Sequence, residues 1–80
     1  MKIHELLDLI EEPEIQRQAL SGYTGAFALG VGGAAKAPVV ILDVEDNAEA
    51  VSFPPNLRIH GETIPLIVNY GFTAPDAYAF

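Results

Sequence analysis

The sequence has no cysteine, few basic residues and no long apolar run. Without cysteine, neither a disulfide nor a cysteine-type zinc or iron–sulfur site can form. Its four Lys and Arg residues stand against eleven Asp and Glu, which gives a net charge of −7. Nonspecific binding to a phosphate backbone exchanges counterions for many basic residues, so that mode is excluded and nucleic acid is not the expected partner.

No apolar run approaches the roughly 18 residues that are needed to cross a bilayer. The N-terminal MKIHELLDLIEE carries acidic residues within its apolar stretch and has no small-residue cleavage site, unlike a signal peptide. We therefore expect a cytoplasmic protein that does not enter a membrane.

The chain has the size of one small domain, with 80 residues. A domain of this size buries only about 60% of the surface that its unfolded form exposes. Because no disulfide can supplement the core, association of several copies is the expected source of further stability. The sequence therefore predicts a homo-oligomer, and a different protein is the other candidate partner.

Residues 1–22 have a helical pattern. Four apolar residues are spaced at i, i+3, i+4 and i+7, on one face of a helix: Ile3, Leu6, Leu7 and Ile10. Pro13 either kinks this helix or begins a second one, because proline is tolerated only in the first turn. Gly22 is a typical C-terminal stop.

A β-hairpin is predicted after Gly25. Residues 26–31 are typical of a strand and Gly32-Gly33 of a turn. The continuous apolar run from Val39 to Leu42 is typical of a strand that is covered on both faces.

Beyond the hairpin, residues 46–50 are expected to form a helical turn capped by Asp46 or Asn47. A last strand over about 63–69 is expected at an edge of the sheet, because Pro65 has no N–H for a ladder. The predicted fold class is α+β in one domain, with an N-terminal helix, kinked or split at Pro13, packed on a small, mostly antiparallel sheet. Its ranges are 1–22 helical, 25–70 sheet-forming and 71–80 an aromatic tail.

The glycines of residues 30–35 match the loose dinucleotide pattern G-x-G-x-x-A. That motif needs a helix that begins within the loop and holds the pyrophosphate at its N-terminus. Here Pro38 and a β-branched run follow instead, so the pattern indicates a hairpin and no cofactor is predicted.

No catalytic set or metal site is predicted. The acidic residues from Asp43 to Glu49 could bind a hard cation, but solvated charge near a sheet edge is the favoured interpretation. His60 and Glu62 would share a face if both lay on a strand, yet no third ligand is near, so a surface or turn histidine is favoured. Neither serine lies in a nucleophile elbow, and we expect no enzyme activity.

Aromatic residues are concentrated near the C-terminus. Tyr78 and Phe80 follow a proline and have little chain left to bury them. Together with Phe72 they are the candidate interface for a neighbouring subunit.

Residues 22–74 resemble a small glycine-rich module found ahead of trypsin-like peptidase domains in many bacterial proteins. The matching pieces follow in order: LSG at the end of a helix, FALGVG, PVVILDVED, FPPNL, a glycine followed by IPLIV, and a closing GFTA. No peptidase domain follows, so no catalytic residue carries over. The resemblance implies a compact helix-plus-sheet accessory module that interacts with protein.

A second resemblance is to Sm-like proteins. DVEDN at residues 43–47 has the D-x-x-x-N spacing of the first Sm motif, and IHGETI at 59–64 is similar to the second, I-R-G-x-N-I, with His for Arg and Thr for Asn. This resemblance implies a small β-barrel with an N-terminal helix, a ring of subunits, and an RNA-base pocket near Asp43, Asn47 and His60. The preferred hypothesis is nevertheless a non-catalytic domain for self-association or protein–protein interaction, with the Sm-like ring as its alternative.

Overall fold

The structure, a computed structural model, describes residues 2–72, and of Glu49 it describes the backbone alone. Two short helices are followed by four strands, with a 3₁₀ helix between the second and third strands. Their bounds are α1 Ile3–Leu9, α2 Pro13–Leu20, β1 Phe27–Ala34, β2 Ala37–Val44, the 3₁₀ helix Asp46–Ala50, β3 Asn56–Ile59 and β4 Glu62–Tyr70. The predicted α+β class is confirmed.

The N-terminal helix is split at Pro13, which is the first residue of α2. The backbone of Glu12 is extended, as expected for a residue before proline. In α1, Leu6 is fully buried, but Leu7 is 49% exposed. The buried stripe is therefore narrower than predicted, because the seven-residue helix turns Leu6 toward the sheet and Leu7 away from it.

The four strands form one open sheet in the order β1-β2-β4-β3. The β1/β2 and β3/β4 pairs are antiparallel, whereas β2 and β4 run parallel. Among the described residues the sheet does not close, so the alternative of an Sm-like β-barrel is wrong.

Strand β4 lies between β2 and β3, so its predicted position at an edge is wrong. The Leu66 N–H donates to the Pro55 carbonyl on the β3 side, 2.9 Å away. Alternation along the strand then turns the nitrogen of Pro65 toward β2. Parallel pairing with β2 begins only at Leu66, opposite Val40, so the missing N–H of Pro65 removes no ladder bond.

The predicted hairpin is present, but its turn is at Ala35-Lys36 and not at Gly32-Gly33. Both glycines continue β1, opposite Val39 and Pro38 of β2. A Cβ at Gly32 would lie 2.7 Å from the Ile41 Cδ1, so glycine at this position permits close packing inside the strand pair. No helix begins at the glycines, which confirms the interpretation of this stretch as a hairpin.

Both helices pack on one face of the sheet. The core comprises Leu6, Ile10, Ile15, Ala19, Tyr23, Val40, Leu42, Val44, Ala48, Leu57, Ile59, Ile64 and Leu66. Along β2 the buried residues alternate with Val39 and Ile41, which are only half-buried. The prediction that β2 is covered on both faces is therefore wrong, because neither helix reaches the second face.

The 3₁₀ helix follows β2 directly. Its N-cap residue is Glu45, which makes no side-chain capping hydrogen bond. The predicted cap by Asp46 or Asn47 is therefore wrong. Ala48 anchors this turn to the core and is 1% exposed.

Candidate functional site: the open side of the sheet

One face of the sheet has no covering element in the described part of the chain, and small and apolar residues form its part on β1, on β2 before Asp43 and on the middle of β4. We call it the open face and define it by Ala28, Gly30, Gly32, Val39, Ile41 and Ile67. Register places Gly30 beside Ile41, and Ile41 beside Ile67. Ile67 is 46% exposed, one of the most exposed large apolar side chains described. This face ends at Asp43, which pairs with Asn69.

The backbone of β1 presents unpaired groups at the edge of the sheet. The Val44 carbonyl accepts a hydrogen bond from the Phe72 N–H at 2.9 Å, on the side of β4, so the backbone groups of Val44 face away from β1. By alternation, Ile41 and Asp43 bond to β1 through Gly30 and Ala28.

Phe27, Leu29 and Val31, which alternate with these paired residues, direct their N–H and C=O groups outward. No hydrogen bond from any residue in the range 2–72 reaches these outward groups. We call this row of backbone groups the β1 edge.

No charged residue interrupts the β1 edge. Strand β1, with the sequence FALGVGGA, has neither a charge nor a proline. The other three strands each contain a charged residue: Asp43 in β2, Arg58 in β3 and Glu62 in β4. Proteins commonly guard an exposed edge strand with charge, proline, shortness or a cover. Strand β1 has no charge and no proline and is eight residues long; α1 packs on its core face, but no described residue bonds to its outward backbone groups.

The opposite edge, β3, is short and covered. It has four residues, and the side-chain amide of Gln18 in α2 bonds to the backbone of Arg58. The Arg58 N–H donates to Gln18 Oε1 at 2.7 Å, and Gln18 Nε2 donates to the Arg58 carbonyl at 3.3 Å. Gln18 thus occupies the place that a neighbouring strand would take.

A hydrogen-bond network fixes the start of β1 to the end of β2. Glu45 Oε1 accepts the Ala26 N–H at 2.9 Å and lies 3.2 Å from the Tyr23 hydroxyl. That hydroxyl donates to the Ala26 carbonyl at 2.6 Å and accepts the Glu45 N–H at 3.3 Å. Glu45, which the sequence placed in an acidic cluster, therefore has a structural role, because it joins Ala26, the residue before β1, to the end of β2.

The residues named for an Sm-like pocket lie at opposite ends of the sheet. Asp43 and Asn47 lie at the end of β2 and in the 3₁₀ helix, while His60 lies in the β3–β4 turn. The nine residues of β4 separate these ends, about 25 Å at roughly 3.3 Å per residue. A single chain does not bring the three residues together.

His60 is a turn residue, as favoured from the sequence. His60 and Gly61 both have positive φ, 50° and 81°, and link β3 to β4. This is the pattern of a two-residue type I′ hairpin turn, which matches the twist of the strands. His60 consequently does not share a strand face with Glu62.

The candidate interface aromatics are only partly within the described residues. Phe72 is half-buried and its N–H bonds to Val44, whereas Tyr78 and Phe80 lie outside residues 2–72. Tyr23, Phe53 and Tyr70 pack edge to face in a row, with ring centroids 6.0 Å and 6.5 Å apart. The row runs from buried Tyr23 to Tyr70, which is 46% exposed.

The described part of the chain has neither a cluster of metal ligands nor a helix that could cross a membrane. Within residues 2–72, the side chain of Glu49 aside, no three His, Asp or Glu side chains come together as metal ligands. No helix in that range is long and apolar enough to cross a membrane.

The comparisons with other proteins leave both resemblances as predictions. No protein-family model, curated protein or solved structure matches the chain.

Proposed function

We propose that this chain is a non-catalytic domain that works by association with protein, first of all with a second copy of itself, in the cytoplasm. The single observation that carries the proposal is that one face and one edge of the sheet are covered, whereas the other face and the other edge are not. Helices cover one face and Gln18 covers the β3 edge, while the open face and the β1 edge remain apolar and uncharged. We call the open face and the β1 edge together the open side.

The size of the chain supports association. Small domains bury a low fraction of their surface, and this one has no cysteine for a disulfide. Phe27, Leu29 and Val31 pack against the core but remain only half-buried. A partner along the open side would complete their burial.

Analytical ultracentrifugation of the native protein over a wide concentration range tests the proposal. The expected result is a mass that rises from one chain toward two as the concentration increases. A mass of one chain at every concentration would contradict self-association. A five- to seven-membered ring that binds short U-rich or A-rich RNA at moderate salt would also contradict the proposal, because a chain with a net charge of −7 is not expected to bind RNA.

A further inference from the structure

We infer that two copies join by antiparallel pairing of their β1 edges, with a two-fold axis at Leu29. This inference deepens the proposed function and rests on it. The pairing would merge two four-stranded sheets into one continuous sheet of both copies. It is carried by three observations: the direction of the backbone groups, the absence of charge on β1, and the cover on the other edge.

The directions of the backbone N–H and C=O groups of β1 determine the register in which two β1 strands can pair. Phe27, Leu29 and Val31 face outward, whereas Gly33 has a φ of +84° and departs from regular strand geometry. With Leu29 opposite Leu29 of the second copy, Phe27 faces Val31 and Val31 faces Phe27. All three outward residues then exchange hydrogen bonds without using Gly33. A register centred on Gly30 would pair Phe27 with the distorted Gly33.

The side chains of β1 suit a second copy as the partner. On the core face, Phe27, Leu29 and Val31 are half-buried, while their β2 neighbours Val40 and Leu42 are 0% exposed. The same three residues from a second copy would extend this layer. On the open face, Ala28 and Gly30 would meet Gly30 and Ala28, and neither presents bulk or charge.

Charge favours this edge over the rest of the surface. Each copy carries a net charge of −7, so contact between acidic regions is repulsive. β1 is the only one of the four described strands without a charged residue. Two copies that meet along β1 therefore bring no acidic side chain of that strand against another.

Disulfide cross-linking tests the edge and its register, because the native chain contributes no cysteine. In the proposed register Ala28 lies opposite Gly30 in a non-hydrogen-bonded pair, where Cα atoms are about 4.5 Å apart, within disulfide reach. A Cβ at Gly30 would have nothing within 4 Å, so Gly30→Cys fits the fold. We expect a mixture of Ala28→Cys and Gly30→Cys to oxidise to a mixed dimer faster than either variant alone.

The matched control is Asn56→Cys, an exposed position on the covered β3 strand. If the native protein associates but cysteines at positions 28 and 30 cross-link no faster than a cysteine at position 56, the β1 edge is not the contact. The proposed function would stand in that case. If Gly30→Cys alone cross-links faster than the mixture of the two variants, the register centred on Leu29 is wrong. A native protein that stays a single chain at every concentration would overturn the proposed function and this inference together.

Discussion

The side-chain amide of Gln18 bonds to both backbone groups of Arg58, across 40 positions of sequence. This pair closes one edge of the sheet in the way that a further strand would. At the other edge, β1 has twice the residues of β3 and no such cover among the described residues. Within the described residues, one edge of the sheet is therefore covered and the other is open.

Removal of the Gln18 amide should lower stability. Gln18→Ala leaves the Arg58 N–H and C=O without a protein partner at a partly solvated edge, and a typical hydrogen bond contributes about 1 kcal/mol. We expect the unfolding free energy to fall by about 1 kcal/mol in urea denaturation followed by circular dichroism. Gln18→Glu retains an acceptor for the Arg58 N–H but no donor for its C=O, so its loss should be smaller. Equal stability of all three proteins would show that the contact is not maintained in solution.

Two glycine-to-alanine substitutions should differ sharply. At Gly25 a Cβ would lie 2.6 Å from Glu45 Oε1 and also strike the Tyr23 hydroxyl. Such overpacking, with disturbed hydrogen bonds, costs about 1–3 kcal/mol. At Gly30 a Cβ meets nothing within 4 Å, so Gly30→Ala should change stability by less than about 0.5 kcal/mol or raise it. Similar melting temperatures for the two variants would contradict the Tyr23–Glu45 network.

Alanine substitutions at two neighbouring residues of β4 test whether the open face is exposed to solvent. Leu66 is 8% exposed and faces the helices, whereas Ile67 is 46% exposed and faces away. Leu66→Ala should destabilise by about 2–5 kcal/mol, the usual cost of truncating a buried leucine. Ile67→Ala should cost less than about 1 kcal/mol, measured by denaturation of dilute protein. A large loss at Ile67 would indicate that the open face is covered.

Charge at the β1 edge should control association. Gly30→Glu places an acidic side chain close to its copy across the two-fold axis, while Gly30→Gln introduces the same bulk without charge. We expect the glutamate variant to dissociate at a concentration about tenfold higher than the glutamine variant, from repulsion of partly screened charges. Added salt should tighten the native association, because it screens the repulsion between copies of charge −7. Equal dissociation constants for the two variants would place the contact elsewhere.

Local signals in the sequence predicted the elements well. Pro13 determined where the second helix begins, and the apolar run after Pro38 predicted β2. The hairpin was predicted, but its turn was displaced because glycine is typical both of turns and of closely packed strands. The residues next to Gly32 in sequence do not show whether it lies in a turn or in a closely packed strand. The close packing involves Ile41, whose Cδ1 would lie 2.7 Å from a Cβ at Gly32.

Long-range relationships could not be read from the sequence. The order β1-β2-β4-β3 depends on which strands meet, and Pro65 suggested an edge for a strand that lies in the interior. The continuous apolar run of β2 did not reveal that Val39 and Ile41 face an uncovered side, because that depends on where both helices pack. Gln18 was missed altogether, since a half-buried glutamine in a helix carries no sequence signal for an edge strand that comes 40 positions later.

Backbone amide exchange, measured by NMR on the native protein at low and high concentration, tests the central claim most directly. At low concentration the Leu29 and Val31 amides should exchange fast, while the neighbouring amides of Gly30 and Gly32, bonded to β2, stay protected. At high concentration all four should be protected. Leu29 and Val31 amides that exchange fast at every concentration, or that are protected at every dilution, would contradict pairing of two copies along β1.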